Sequence, residues 1–384
     1  RKKHVVIYGG TKQGKTCLRK RNLDEGEDYI NVSCNRNWGV KKIHEQILKE
    51  IGYKVTVSSE TTMSGTQKIK AKLRSGVFDV GSETELSKEE VEQSEPLELD
   101  LEDENDVMRA LDQVNFDKYI SLEDFHILEQ EVQEKFADKL KTYYDESDLV
   151  FIVIGVWLEE NRIIALSGHL GNRTISVNVD EWKREELREV INIGERHLHV
   201  EFDHEFKEDL LDNCHDSVWL VQEVCYEVCS NEDLSGDQKP IEVAQDVDAN
   251  NIIDRVISKQ ESTYRNFLRD YSAGFGSSEL EMHKWVIYTL VTADEDEIKR
   301  GLHYSEIKER IQEEHERGED LNPGNLTQAL QKVTKLQFKI GNELRIDYDK
   351  SKNRLTVVDR GFLVWMRTKY EKELIGYIDQ ELVE

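Results

Sequence analysis

The segment from Gly9 to Thr16 constrains the fold of this chain more than any other. It reads GGTKQGKT and fits the pattern G-x-x-x-x-G-K-[ST] at every fixed position. The apolar residues 4–8 precede it, and a helix is predicted to begin near Cys17. A strand, a glycine-rich turn and a helix in this order predict a phosphate-binding loop in an α/β fold. The alternative is a glycine-rich turn that carries Lys-Thr by chance.

The residues of this loop have distinct expected roles. Gly9 and Gly14 lack a Cβ atom, so backbone N–H groups can approach a polyanionic triphosphate closely. Lys15 is expected to reach the β- and γ-phosphates as a point charge, and the Thr16 hydroxyl to bind Mg²⁺. The predicted nucleotide-binding positions are Gly9, Gly10, Thr11, Lys12, Gln13, Gly14, Lys15, Thr16 and Cys17.

Apolar segments alternate with helical patterns downstream of the loop. Further strands are predicted at residues 28–34, 118–125, 149–156 and 173–179, and helices at 40–51 and 130–144. Five short strands separated by helices predict a mostly parallel sheet that is covered on both faces.

The stretch from about residue 58 to residue 106 interrupts this alternation with Ser, Gly and acidic residues. It predicts a flexible acidic insertion with one short helix at most, because it lacks the apolar content to offset chain entropy. The whole chain of 384 residues has a net charge of -27. This charge excludes a general polyanion-binding surface but leaves room for a local basic face.

Two adjacent carboxylates, Glu123 and Asp124, end a predicted strand. Phosphoryl transfer to water needs a metal held opposite the loop and a group that orients the attacking water. The pair supplies both kinds of group, and Thr16 with Glu123 is the predicted magnesium-binding set. Because Glu precedes Asp, the sequence leaves open which carboxylate binds the metal and which orients the attacking water. Slow hydrolysis is expected. Ordinary surface acids at a strand end are the alternative.

Arg173 precedes the last predicted strand and is, with Glu123 and Asp124, a predicted catalytic residue. Its planar guanidinium suits phosphate oxygens, so it is a candidate for stabilising transition-state charge within one chain or across a subunit interface. An ordinary ion pair is the alternative.

Other conspicuous side chains are expected to have structural roles. His126 and Trp157 are expected to pack inside the protein, whereas Lys12 and Arg19 are expected to be exposed to solvent. The cysteines form no C-x-x-C pair and are expected to be reduced core residues. They are Cys17, Cys34, Cys214, Cys225 and Cys229.

The chain after the sheet is mainly helical in pattern. Residues 183–229 predict a helical lid, and a polar stretch at 230–248 separates it from the remainder. Helices followed by a hairpin over 344–358 predict a winged helix. The predicted domains are a nucleotide-binding domain at 1–180, a lid with linker at 181–250 and a winged-helix domain at 251–384.

The longest apolar run, residues 149–157, is too short to cross a bilayer, and no signal sequence is visible. We therefore expect a cytoplasmic protein. The chain has no initiating Met and starts almost at its first strand. We expect that upstream sequence is missing, and an effector domain is one candidate for it.

The loop, the Glu-Asp strand, the apolar strand at 149–156, Gly171-Asn172-Arg173 and the helical remainder together resemble AAA+ ATPases. The resemblance is to the branch shared by replication-initiator ATPases and STAND signalling NTPases. It implies a P-loop sheet of order 5-1-4-3-2, ATP or ADP with Mg²⁺ as cofactors, and adenine as the base. It also implies that nucleotide state controls assembly into an oligomer that activates an effector on the same or a separate chain, often in antiviral defence.

Several positions depart from the pattern of these relatives. The two acids are reversed, residues 155–157 lack a polar sensor, and no Gly-x-Pro motif lies near residues 217–219. Val358-Asp359 stands where some relatives have His-Asp, so a His contact to the β-phosphate is absent.

Two functions from different classes follow. The first is a nucleotide-controlled ATPase switch whose output is self-association and activation of a protein effector. The second is a DNA-loading ATPase that grips duplex with its winged helix, because residues 321–372 hold 11 Lys and Arg against 5 Asp and Glu. That basic segment also suits docking against the acidic insertion or another subunit. A small-molecule kinase fits poorly, since no acceptor pocket is indicated after the lid.

Overall fold

The chain was analysed as a computed structural model. The structure describes residues 2–61, 67–73, 96–160, 162–230, 240–275, 280–318, 322–341, 343–369 and 371–379. It divides into two compact units, one of Arg1–Tyr8 with Lys15–Asn178 and one of Gly9–Gly14 with Val179–Glu384. The division into three domains stays a prediction.

The first unit is built on a parallel sheet. The strands of the first unit are β1 (His4–Gly9), β2 (Tyr29–Ser33), β3 (Tyr53–Thr61), β4 (Gln67–Leu73), β5 (Leu97–Leu99), β6 (Tyr119–Glu123), β7 (Phe151–Val156) and β8 (Thr174–Asn178). Five of them pair in the order β2-β6-β7-β1-β8. Numbered by their place in this sheet, that is the predicted order 5-1-4-3-2, which is confirmed.

Five helices and one 3-10 turn accompany these strands. They are α1 (Lys15–Asn22), α2 (Val40–Glu50), α3 (Glu104–Gln113), the 3-10 turn (Phe125–Ile127), α4 (Gln130–Glu146) and α5 (Arg162–Leu166). Every residue of the central strand β7 is buried, as its unbroken apolar sequence FIVIGV requires. In the edge strand β8, by contrast, Ile175 is 51% exposed.

A second, antiparallel sheet of three strands lies within the predicted flexible insertion. Strand β4 pairs with β3 on one side and with β5 on the other. The prediction of a flexible segment over about 58–106 is therefore wrong for β4, β5 and the end of β3, whereas the start of α3 fits the one short helix that the prediction allows. Ile69, Ala71 and Leu73 alternate with lysines and are buried, which is the period of a half-buried strand. Residues 74–95 of the insertion lie outside the described residues.

The second unit contains twelve described helices and three short strand pairings. The helices are α6 (Arg184–Leu198), α7 (His204–Asn213), α8 (Val218–Cys229), α9 (Ala249–Ser258), α10 (Glu261–Ser272), α11 (Met282–Val291), α12 (Glu295–Arg300), α13 (Tyr304–Glu314), α14 (Pro323–Gln331), α15 (Val333–Lys339), α16 (Arg360–Thr368) and α17 (Glu371–Ile378). The strands are β9 (Val200–Phe202), β10 (Ile241–Val243), β11 (Leu302–His303), β12 (Ile346–Asp349) and β13 (Arg354–Val357).

The lid region is less purely helical than its pattern predicts. Strand β9 separates α6 from α7 and pairs in parallel with β10. The helical pattern from residue 252 to residue 271 predicts one helix, but the structure has two, α9 and α10, which meet at Lys259 and Gln260. The predicted hairpin is present as β12 and β13, and β11 adds a third strand. The winged-helix interpretation of this part stays a prediction.

The cysteines are all free thiols. Cys34, Cys214 and Cys229 are buried and Cys225 is half-buried, but Cys17 is exposed, so the prediction of a core position is wrong for Cys17. No group of three or more His, Cys, Asp or Glu suited to a metal ion occurs among the residues that the structure describes. Within the same residues, no helix is both long and apolar enough to cross a membrane.

A buried histidine makes the first unit sensitive to acid. His44 Nδ1 donates to the Leu101 carbonyl at 2.7 Å, and the Tyr143 hydroxyl donates to His44 Nε2 at 2.9 Å. Burial lowers the pKa of His44 to about 4, although the hydrogen bond to Leu101 opposes the shift. The native state therefore holds His44 neutral at pH values where the unfolded chain already binds a proton.

We predict that His44→Asn reduces the loss of stability in acid. Below the unfolded pKa of about 6.5, a neutral buried His lowers the free energy of unfolding by about 1.4 kcal/mol per pH unit. Above that pH the protonation of His44 does not affect stability, and the loss grows as the pH falls toward the folded pKa. Urea unfolding followed by circular dichroism at several pH values measures the slope. His197→Asn, at an exposed position, is the control, and equal slopes for wild type and His44→Asn would contradict the prediction.

Candidate phosphate-binding site

The loop after β1 has the backbone that its glycines permit. Gly9 and Gly14 have φ angles of 149° and 91°, and Lys12 has a φ of 60°. A Cβ atom at Gly9 would lie 3.0 Å from both the Asp180 amide nitrogen and a Val179 methyl group. Both conformation and space therefore require glycine at the start of the loop.

The first half of the loop is bonded to residues that follow the sheet. The Gly10 amide donates to Asp180 Oδ1 at 2.8 Å, and the Thr11 amide donates to the Val358 carbonyl at 2.8 Å. Asp180 also pairs with Arg360 at the start of α16. A Cβ atom at Gly10 would lie 2.7 Å from the Val358 oxygen, so this contact also depends on glycine.

Gln13 fastens the same half of the loop to the start of α8. Its side chain is 1% exposed. It donates through Nε2 to the Asp216 carbonyl at 3.1 Å and accepts from the Val218 amide at 3.3 Å. The exposed Lys12 places its ammonium 4.2 Å from the centre of the Trp219 ring. Residues 216–218 thus contact the loop through backbone groups.

Thr16 and Glu123 come together in the first unit. The Thr16 hydroxyl donates to Glu123 Oε1 at 3.2 Å. The same oxygen accepts a charged hydrogen bond from Arg19 Nη2 at 2.9 Å. Glu123 is therefore anchored by two residues of α1, and its carboxylate meets the hydroxyl predicted to bind magnesium.

Arg19 is buried, so the prediction that it is exposed to solvent is wrong. It is 2% exposed, and its guanidinium lies 4.5 Å from the centre of the Tyr29 ring. Besides Glu123, it donates to Ser121 Oγ at 3.0 Å and to Asn31 Oδ1. One buried cation thus ties α1 to β2 and β6.

Asp124 lies in left-handed backbone at the start of the 3-10 turn, with a φ of 54°. Aspartate tolerates this conformation better than most residues. Burial raises the pKa of its carboxyl group, Glu123 raises it further, and Lys15 opposes the shift. Asp124 is thus a carboxylate that holds a proton more readily than an ordinary aspartate.

His126 and Trp157 lie inside the first unit, and their predicted structural roles are confirmed by burial. Burial lowers the pKa of His126 to about 3, with smaller contributions from Lys15 and Arg162. A Cβ atom at Gly155 would overlap the Trp157 ring at 1.5 Å. The ring therefore occupies the space that a side chain at residue 155 would need, which accounts physically for the missing polar sensor.

Arg173 is engaged by a neighbouring acid. Its Nη2 lies 3.1 Å from both carboxylate oxygens of Asp145, its Nη1 donates to the His169 carbonyl at 2.7 Å, and its guanidinium lies 5.5 Å from the Tyr144 ring centre. This is the ion pair named above as the alternative to a catalytic role. A catalytic role stays a prediction, and it requires this pair to open.

The residues fit a magnesium-bound nucleotide in kind. Hydroxyl and carboxylate oxygens are the ligands that Mg²⁺ prefers, and Thr16 and Glu123 already converge at hydrogen-bond distance. Lys15 is the first residue of α1, whose N-terminus favours anions. The donor set is thus that of a phosphate and metal site.

Three residues of this region are absent from the predicted site residues. They are the buried Arg19 and the pair Asp180–Arg360. A weak signal exists for Arg19, which follows Thr16 by three positions and so shares its face of α1. Asp180 follows the last strand of the sheet closely. Arg360 has no sequence signal that separates it from other basic residues.

No protein-family profile matches the chain, and no curated protein matches it. Solved structures that align with this chain include the Aeropyrum pernix ORC2 protein in its ADP form. The alignment has 12% identity and a TM-score of 0.41 and covers 100% of this chain and 89% of that one. The Aeropyrum pernix ORC1 protein in complex with DNA has 11% identity and a TM-score of 0.39, with 96% and 87% covered. The Thermotoga maritima RuvB Holliday junction branch migration motor has 12% identity and a TM-score of 0.35, with 92% and 84% covered. The assignment of a function therefore rests on the residues of the chain itself.

We predict that Arg19→Ala lowers the free energy of unfolding by about 3–5 kcal/mol, because it leaves the Glu123 carboxylate without its buried cation. The double variant Arg19→Ala/Glu123→Ala should lose less than Arg19→Ala alone, since it also removes the stranded charge. Denaturant unfolding measures both.

Arg173→Ala is the matched control, because its pair with Asp145 is more exposed and should be worth about 0–1 kcal/mol. An equal loss for Arg19→Ala and Arg173→Ala would show that Arg19 is not a buried structural cation.

Proposed function

We propose that this chain is an ATP-binding, slowly hydrolysing ATPase that acts as a switch. Its nucleotide state would control self-association and the activation of a protein effector. One observation carries the proposal. Gly10, Thr11 and Gln13 of the phosphate-binding loop are bonded to three separate places in the second unit, namely Asp180, Val358 and residues 216–218. A change in the loop is therefore transmitted directly to the residues that follow the sheet.

The residues present divide the chemistry between them. Lys15 and the loop amides would hold the phosphates, while Thr16 and Glu123 would hold Mg²⁺. The bound ion would neutralise charge on the terminal phosphates. Asp124 is the candidate for orienting water and receiving its proton, which its raised pKa favours. Aspartate is shorter than glutamate by one methylene, which is consistent with slow turnover.

The resemblance to STAND signalling ATPases supports the link from nucleotide to assembly. It extends the proposal to an effector in antiviral defence and to ATP rather than GTP. Arg173 remains part of the proposal as a residue that acts on a neighbouring subunit once its pair with Asp145 opens.

The pair Asp180–Arg360 provides the test. Arg360→Ala removes one tie between Asp180 and the helix after the hairpin, so the chain should assemble at a lower ATP concentration while it still binds nucleotide. Mass measurement in solution with ADP, ATP and a non-hydrolysable analogue shows the shift. Lys15→Ala should abolish nucleotide binding and any nucleotide-dependent change in mass.

Arg310→Ala is the matched control, because Arg310 forms a half-buried pair with Glu297 at 2.9 Å on α12 and α13. It should assemble like the wild type. If the mass in solution did not change with nucleotide and magnesium in any variant, the proposed switch would be refuted.

Binding of duplex DNA through the segment 321–372 is a second candidate function. Lys332, Lys335 and Lys339 are all exposed and recur at helical spacing. The ammonium groups of Lys339 and Lys332 lie 4.8 Å and 6.0 Å from the centre of the Phe275 ring. These cations converge on one side of α15, as a surface that meets phosphates does.

If this surface binds DNA, Lys332→Glu/Lys335→Glu should abolish the salt-dependent mobility shift of a labelled duplex. Lys299→Glu/Lys308→Glu carries the same change of charge on other helices of the second unit and is the control. Equal shifts for both double variants would remove this surface from consideration.

A further inference from the structure

The three-stranded sheet of β3, β4 and β5 has two faces of opposite character. Tyr53, Ile69, Ala71 and Leu73 point into the core of the first unit and are between 1% and 7% exposed. The alternate residues Lys54, Thr56, Lys70 and Lys72 are exposed. These four residues and Glu98 form what we call the lysine face.

The pairing of the strands concentrates positive charge on the lysine face. Lys54 lies directly opposite Lys72, and Lys70 lies between Thr56 and Glu98. Like charges placed opposite each other on neighbouring strands destabilise a sheet. The pair Lys54 and Lys72 thus costs stability in the isolated chain, and a bound anion would remove that cost.

Little on the described part of the sheet neutralises this charge. Glu98 lies 3.5 Å from Lys70, and both side chains are more than a third exposed. Within the described ranges, neither Lys54 nor Lys72 has a carboxylate partner within salt-bridge distance. A face with three lysines and one glutamate stands out on a chain with a net charge of -27. Such a local field attracts a polyanion while the rest of the surface repels it.

The chemistry of the face selects among polyanions. The cores of protein interfaces are rich in aromatic residues and Arg and poor in Lys, and none of the described residues of this face is aromatic or Arg. Contacts to nucleic-acid phosphates use Lys and hydroxyl side chains. Lysines two residues apart on a β-strand are about 6.8 Å apart. Two phosphate steps along one stacked nucleic-acid strand, at a rise of about 3.4 Å each, also span about 6.8 Å.

We propose that the lysine face binds the sugar-phosphate backbone of a nucleic acid. It carries no amide or guanidinium side chain that would read base edges, so binding is independent of sequence. None of its residues belongs to the phosphate-binding loop or to the cations at residues 332–339. It therefore holds whether or not the proposed switch and the second candidate function are correct.

The test measures the affinity of the full chain for a labelled mixed-sequence DNA duplex, by fluorescence anisotropy, over about 50–200 mM salt. Lys54→Ala/Lys72→Ala should bind more weakly and reduce the slope of log affinity against log salt by about 1.8, since each phosphate contact contributes about 0.9. Lys54→Arg/Lys72→Arg should retain the wild-type slope, because it keeps both charges. Circular dichroism should show that the alanine variant folds, as it removes an unfavourable pair from the surface.

Lys49→Ala/Lys135→Ala makes the same change of net charge elsewhere in the first unit and should leave the slope unchanged. Lys332→Ala/Lys335→Ala reports separately on the second unit. A slope for Lys54→Ala/Lys72→Ala equal to that of Lys49→Ala/Lys135→Ala would overturn the proposal. So would an absence of measurable binding by the wild type at the lowest salt, or a stronger dependence on Lys54 and Lys72 for phosphatidylserine vesicles than for DNA.

Discussion

A single buried guanidinium organises the acidic side of the candidate site. Arg19 reaches from α1 to two neighbouring strands, β2 and β6, where it meets Asn31, Ser121 and Glu123. A buried cation must be compensated on every side, so these polar partners fix the helix against the sheet. The placement of Glu123 beside Thr16 follows from this network, and with it the place where a metal would bind.

The first half of the phosphate-binding loop and the carboxylate of Glu123 contact different parts of the chain. The first half of the loop is bonded to groups from the lid region and from the chain after the hairpin. Thr16 lies on α1 and meets Glu123 at the end of β6. The motif is continuous in sequence, yet its two halves contact different parts of the chain.

The features that were predictable from the sequence are those with a strong local signal. The loop motif and the apolar strands predicted the sheet, because a buried parallel strand such as β7 needs an unbroken apolar run, and the family resemblance implied the strand order. Strand β4 was missed because its alternating lysines read as a polar segment. The burial of Arg19 and the contacts of Asp180 and Val358 depend on residues far away in the chain, so no local pattern encodes them. Helices α9 and α10 share one continuous helical pattern, which hid the break between them.

The Arg19 network gives a physical reason for glutamate at position 123. The side chain of Glu123 has one methylene more than an aspartate, and its Oε1 reaches both the hydroxyl on one turn of α1 and the guanidinium on the next. An aspartate at this position would be too short to keep both contacts. Positions 19 and 123 are therefore expected to tolerate substitution only as a pair.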